Sequence, residues 1–318
     1  MRAEQYLAPE TLSQLAPFEL RARMIVEGVT SGMHRSPFQG LAVEFAEHRP
    51  YTPGESLRHL DWKVFGRSDK LYVKRYQQET NLDVVVLIDG SASMRFGTLG
   101  TKSGWGGTDA GRSNGRWTKF DCATATSVAL AYLCLAQRDR VGLGIFGDGL
   151  DMWLRPAGAR DQWRKIVQAL GTEKVAGSTS LVKSVDEALA KTSHRSLFFV
   201  LSDFLVDESA VRDSLARFRH RGHDVVLLEI LDRSEIRFDL QDATIFEGLE
   251  DGERVHADAM EIRRAYLEEL EKHEAALDKA VRAFGYDRLR LDSHDSVGPA
   301  LAALLARRDA ATRRSGAG

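Results

Sequence analysis

The sequence predicts a doubly wound α/β fold: a mostly parallel six-stranded sheet, with an N-terminal accessory segment before it. Three observations predict it. From residue 82 onward, apolar runs of strand length alternate with stretches of helical period, the pattern of βαβ units whose sheet is covered on both faces. Two of those runs, "VVVLID" and "FFVLSD", close on an aspartate, as strands do when their carboxyl ends line a ligand crevice. The third is the turn Gly147-Asp148-Gly149, short enough to permit only an antiparallel step, so one edge strand reverses.

Taken in order, residues 10–29 suggest a helix with Leu12, Leu15, Leu20 and Ile25 among its apolar positions, broken by "SGMHRSPFQG". A stretch dense in aromatics and arginines follows, with a turn at Pro53-Gly54, and residues 1–80 are assigned to the accessory segment. The main domain, 81–312, is expected to carry strands at 82–89, 139–147, 151–156, 196–204, 224–232 and 286–292. Helices are expected at about 118–137, 160–170, 181–192, 207–221 and 297–308. Two insertions interrupt the pattern: Gly-rich 97–117, read as a flexible loop, and about 233–284, an irregular or hairpin stretch to 256 followed by a charged helix from about 257. Residues 313–318 read as a disordered tail.

Charge excludes some function classes. Lys plus Arg number 44 against 46 Asp plus Glu, so no global field draws the chain to nucleic acid or an anionic membrane. "MRAEQYLAPETLSQ" has no apolar core of a signal peptide, and no uncharged run reaches membrane-spanning length, so a cytoplasmic location without membrane insertion is expected. The two cysteines, Cys122 and Cys134, are in one helical pattern, roughly 18 Å apart along its axis, too far for a disulfide. They read as small buried hydrophobes, and with no Cys/His cluster a zinc site is not expected.

The chemistry is in the loops after the strands. "IDGSASM" places Asp89, Ser91 and Ser93 in an Asp-x-Ser-x-Ser spacing, "GSTSL" brings hydroxyls at 178–180, and Asp203 ends another buried strand. All are hard oxygen donors, suited to Mg²⁺ or Mn²⁺. Ser91 and Ser93 are equally good helix N-caps, and on the residues alone both readings stand.

"DGSASM", "GSTSL" and "LSDF", in that order on this β/α pattern, resemble the von Willebrand factor type A domain and its metal-ion-dependent adhesion site, on a Rossmann-like sheet. "HRPYTPGESLRHLDWKVFGRSDKLYVKRYQQETN", "RDRVGL" and "RGHDVVLLEILD" make the sequence more similar still to the bacterial domain-of-unknown-function-58 family, over about residues 31–310. The resemblance implies Asp89, Ser91 and Ser93 as first-loop ligands, and Thr179 as the second-loop ligand, with Ser178 and Ser180 beside it leaving the register open. It implies Asp203 as the third-loop acid, often acting through water. It further implies a non-catalytic adaptor whose Mg²⁺ or Mn²⁺ binds an Asp or Glu of a protein partner, a MoxR-type AAA+ ATPase or its client. The chain departs from the family at 97–117, which delays the lysine opening the next helix, Lys119; that insertion reads as a lid or as a tolerated extension.

Two other functions compete with this one. A metal-dependent phosphohydrolase could use Asp89 as nucleophile, yet the second acid expected two residues later is Ser91. No phosphate-binding glycine loop or Ser-His-Asp or Cys-His arrangement supports an enzyme. An RNA-binding type A protein would draw on Arg58, Lys63, Arg67, Lys70, Lys74 and Arg75 with the interleaved Trp62, Phe65, Tyr72 and Tyr76. "LYVKRY" alternates as a half-buried strand does, so a structural or docking role is expected there. His34, His48 and His59 lack ligand spacing and receive no role.

Overall fold

A computed structural model of the chain describes residues 43–51, 62–68, 71–78, 82–100, 116–136, 138–159, 161–172, 175–239, 243–249, 254–295, 297 and 300–301. The helix expected at 10–29, Arg58, Lys70, His34, His59, most of 97–117, most of 297–308 and the tail lie outside them. Contacts divide the chain into two units, one of them Met33–Asn81. In that unit β1 (Val43–Pro50) pairs antiparallel with β2 (Tyr72–Gln78), across the short helix α1 (Trp62–Ser68). The strand expected in "LYVKRY" is therefore present.

The other unit is built on β3 (Asp83–Asp89), which enters a short 3₁₀ turn, Ala92–Arg95. A two-residue ladder, β4 (Leu99–Gly100) with β5 (Arg116–Trp117), precedes α2 (Lys119–Ala136). The chain continues through β6 (Arg140–Gly147), β7 (Gly149–Ala157), α3 (Gln162–Thr172), α4 (Leu181–Ala190), β8 (Ser196–Ser202), α5 (Glu208–His220) and β9 (Asp224–Leu231). Then come α6 (Arg233–Arg237), the hairpin β10 (Ala243–Glu247) and β11 (Arg254–Asp258), α7 (Ala259–Ala283) and β12 (Asp287–Asp292). The 233–284 insertion is thus a short helix, a hairpin and a long helix.

The sheet runs β12-β9-β8-β3-β6-β7, and every neighbouring pair is parallel except β6 with β7. Counted along the chain this is the doubly wound order, with β3 in the interior and the crossover direction reversing between β3 and β8. The reversed edge strand follows from the turn at Asp148, where Gly149 holds φ +140°, a backbone region closed to most side chains.

Alternation along each strand splits the core in two. Val84, Val86 and Ile88 of β3, with Phe199 and Leu201 of β8, pack against α2 and α3. Val85 and Leu87, with Phe198 and Val200, pack against α4, α5 and α7. Helices on both faces keep this sheet out of water, and its β3 is buried along its whole length. Cys122 is buried and Cys134 half-buried on α2, both as free thiols. Among the described residues no helix is long and apolar enough to cross a membrane.

Candidate functional site

The carboxyl ends of β3 and β8 adjoin at the reversal, which delivers Asp89 and Asp203 to the same crevice. Asp89 is 1% exposed and Asp203 3%. The second loop is tied by its backbone to the first, where the Ala176 amide donates to Gly90 O (2.9 Å) and the Ala92 amide to Gly177 O (2.9 Å), and to the end of β6, where the Ser180 amide donates to Gly147 O (2.8 Å). This lacing fixes the register left open in "GSTSL". Thr179, and not its serine neighbours, faces the acid, its Oγ1 donating to Asp89 Oδ1 at 2.9 Å.

Asp89 Oδ1 also accepts the Ser91 amide at 2.9 Å, and Oδ2 accepts Ser202 Oγ at 2.6 Å. Ser91 occupies the N-cap position of the 3₁₀ turn, but its hydroxyl makes no capping bond and instead meets Ser93 Oγ at 3.1 Å. Ser93 in turn hydrogen-bonds Asp203. The structure thus links Asp89, Ser91, Ser93, Thr179 and Asp203 into one chain of oxygen contacts.

The two acids differ in charge balance. Burial raises the Asp89 pKa to about 6, and the nearby Asp203 adds to the rise. Burial would raise Asp203 too, but the Lys119 ammonium outweighs it and, with Ser93 and the Leu205 amide, holds that carboxyl below the usual range. Lys119 is the residue that sequence reasoning misjudged. Assigned only to opening a helix, it is 1% exposed, with Nζ 2.8 Å from Asp203 Oδ2 and 2.8 Å from Glu235 Oε1. Burial works against its charge, yet these two acids hold it protonated well above an ordinary lysine.

Glu235 and Ser202 were missed as well. Glu235 arrives through a capping box at the start of α6: Asp232 accepts the Ser234 amide, and the Asp232 amide donates to Glu235 Oε2 at 2.7 Å. The Asp-x-x-Glu spacing in "LDRSEIR" is the sequence signal for it. Asp232 itself, at the end of β9, is fully buried and accepts from Thr98 N and Oγ1, Ser234 N and Oγ, and Ser293 Oγ, with His294 Nε2 at 3.1 Å. Burial would raise its pKa, but the donors prevail and hold it far below the carboxylate range.

Thr98 also marks where the 97–117 insertion begins. The insertion does not displace Lys119, because the Lys119 amide donates to Phe96 O at 2.8 Å and β4 pairs with β5 just beyond. On the far side of Asp203, Phe204 turns with φ +51°, and its carbonyl accepts a hydrogen bond from His273 Nε2 of α7 at 2.9 Å. That turn leaves Leu205 half exposed at the rim.

The donor set fits a hard divalent ion. The Thr179–Asp89 (2.9 Å) and Ser91–Ser93 (3.1 Å) contacts are hydrogen bonds among carboxylate and hydroxyl oxygens, the donor type such an ion takes. Among the described residues no cluster of three or more His, Cys, Asp or Glu is placed to hold a metal, so hydroxyls would have to supply much of the coordination.

The model of the family described as "Protein of unknown function DUF58" matches residues 47–276. An uncharacterized protein of Mycobacterium tuberculosis (strain H37Rv) is 24% identical over 288 residues, covering 89% of this chain and 85% of its own length; one of Mycobacterium bovis matches to the same extent. Among solved structures, the conserved hypothetical protein BatB from Bacteroides thetaiotaomicron aligns with TM-score 0.45 and 10% identity over 71% of this chain and 98% of its own. The SpRpn10 VWA domain aligns with TM-score 0.41 and 13% identity, over 70% and 94%.

Proposed function

The chain belongs to the DUF58 family, and we propose that it is a non-catalytic, cytoplasmic interaction module whose oxygen-lined crevice holds Mg²⁺ or Mn²⁺ and through it grips a carboxylate of a partner protein. Asp89, Ser91, Ser93 and Thr179 would hold the ion, with Asp203 acting through its own hydrogen bonds or through water. When bound, the ion supplies a Lewis-acidic position that favours a hard anionic oxygen. The observation that carries the reading is the convergence of the Thr179 and Ser202 hydroxyls and the Ser91 amide on Asp89, a buried carboxylate to which no basic side chain among the described residues is paired.

The chain's own residues do the rest. Ser202 and the Ser91 amide fix the Asp89 carboxylate, the laced second loop fixes Thr179, and half-exposed Leu205 offers apolar contact beside the charged centre. A MoxR-type AAA+ ATPase or its client, presenting Asp or Glu, is the partner proposed. A phosphohydrolase using Asp89 as nucleophile is less well supported, because the position two residues on, where a second acid is expected, is Ser91, whose hydroxyl meets Ser93.

Calorimetric titration of the full chain with Mn²⁺ tests the reading. Wild type should bind one ion at millimolar concentration or better, and Asp89→Ala, folded by circular dichroism, should bind none. Equal affinity in the two proteins would reject the site.

A further inference from the structure

We propose that Lys119 is a resident counter-cation that holds down the divalent affinity of the crevice and confines Asp203 to an indirect role, so that Asp89 is the carboxylate that meets the ion with its charge uncompensated. The inference rests on the metal reading above and concerns how that site is tuned.

Three observations carry it. The Lys119 ammonium is sealed from water and has acids at 2.8 Å from the loop after β8 and from α6, so its charge is fixed in place and poorly screened. Asp203 is neutralised where Asp89 is not: its Oδ2 holds the Lys119 ammonium, Oδ1 accepts the Leu205 amide at 3.3 Å and Ser93 adds a further bond, whereas the hydrogen bonds to Asp89 come from uncharged donors. Direct coordination by Asp203 would mean surrendering the lysine, stranding a buried ammonium with one partner fewer. Glu235 is held to this cluster through Lys119, its other oxygen taken by the Asp232 amide, so it offsets the lysine without lining the crevice.

An ion seated against Asp89 therefore meets one uncompensated carboxylate and a fixed positive charge behind Asp203. The ion is left short of negative charge, and an external carboxylate completes it. Lys119 makes the crevice a weak metal site by itself and a strong one in the presence of an acid.

The signs of three variants separate this from a merely structural ion pair. Lys119→Met should raise Mn²⁺ affinity about tenfold or more, through removal of a nearby fixed charge. The double variant Lys119→Met/Glu235→Gln removes one charge of each sign from the buried pair, keeps side-chain volume, and should also bind Mn²⁺ more tightly than wild type. Glu235→Gln alone leaves Lys119 less compensated and should weaken Mn²⁺ binding severalfold. A structural pair would lower affinity in all three. Either methionine variant, folded by circular dichroism, binding Mn²⁺ no more tightly than wild type overturns the proposal; the double variant decides should the single one fail to fold. Failure of the metal reading itself is a different result, equal Mn²⁺ affinity in wild type and Asp89→Ala.

Discussion

Ser202 Oγ donates to Asp89 Oδ2 across 2.6 Å, joining the ends of β8 and β3, while the next residue, Asp203, turns to Lys119. The same hydroxyl accepts the Phe204 amide at 3.0 Å, so it serves the acid and the turn together. Ser202→Ala leaves a buried carboxylate oxygen and a buried amide without that partner. The expected cost is about 1–3 kcal/mol of unfolding free energy, read from urea denaturation at constant m-value. A change within a few tenths would mean that water replaces the hydroxyl.

The proposed partner contact is tested by a double-mutant cycle. Ser93→Ala here and replacement of the partner's key Asp or Glu by its amide should each weaken binding, and the losses should not add, because both damage one metal–carboxylate bond. Independent losses would move that acid to another part of the interface. Chelation by EDTA should lower binding by the same route.

Asp232 ties together Thr98, the α6 cap and the loop after β12. Asp232→Ala should destabilise the sheet unit by about 3–5 kcal/mol, since it strands several buried donors at once. Its pKa is depressed in the folded protein, so its contribution is complete above the ordinary aspartate pKa of 3.8 and lost as pH falls through the lower folded value. Asp232→Asn should therefore flatten the acid limb of the stability–pH curve. An unchanged acid limb would show that the stability lost in acid comes from other groups.

Glu229 gives the opposite slope. It is buried in β9 with Oε1 lacking a hydrogen bond, and its neighbour Arg288 is shared with Asp278. Burial outweighs Arg288 and raises the Glu229 pKa from 4.5 to about 7. Between those values the folded chain holds a proton that the unfolded chain has released, so wild-type stability falls as pH rises through the window. Glu229→Gln does not titrate, and its stability relative to wild type should climb by on the order of 3 kcal/mol from pH 4.5 to about 7, then level off. A flat difference would mean that the Arg288 pair keeps Glu229 ionised throughout.

Much of the frame was legible because short-range chemistry sets it. The apolar run ending at Asp89 could be only a strand buried on both faces, and Gly147-Asp148-Gly149 could close only a hairpin. Asp89, Ser91, Ser93 and Asp203 were readable as a group because they follow strands whose carboxyl ends point to one edge, and Thr179, in a loop between two helices, joined them through the family resemblance. Lys119 was not, since a lysine at a helix start ordinarily faces water. Its burial depends on Glu235, which comes from a five-residue helix more than a hundred positions away and is aimed by hydrogen bonds to Asp232. Side-chain direction of that kind is a tertiary fact with no periodicity to show it.

The closure at Phe96 and Lys119 has a consequence for how such chains diversify. The polypeptide leaves and rejoins the sheet unit at one point, where Gly97 lies so near Trp117 that a β-carbon there would fall 2.1 Å from its carbonyl oxygen. The two ends of this excursion are thereby held side by side, with Thr98 bonded to Asp232. Because the entropy of closing a loop grows only about 0.6 kcal/mol per doubling of its length, the excursion can be grown, shortened or exchanged for foreign sequence while the lysine beyond it stays in place. The fold thus carries a grafting port beside its most constrained residues, and the toll at that port is a glycine.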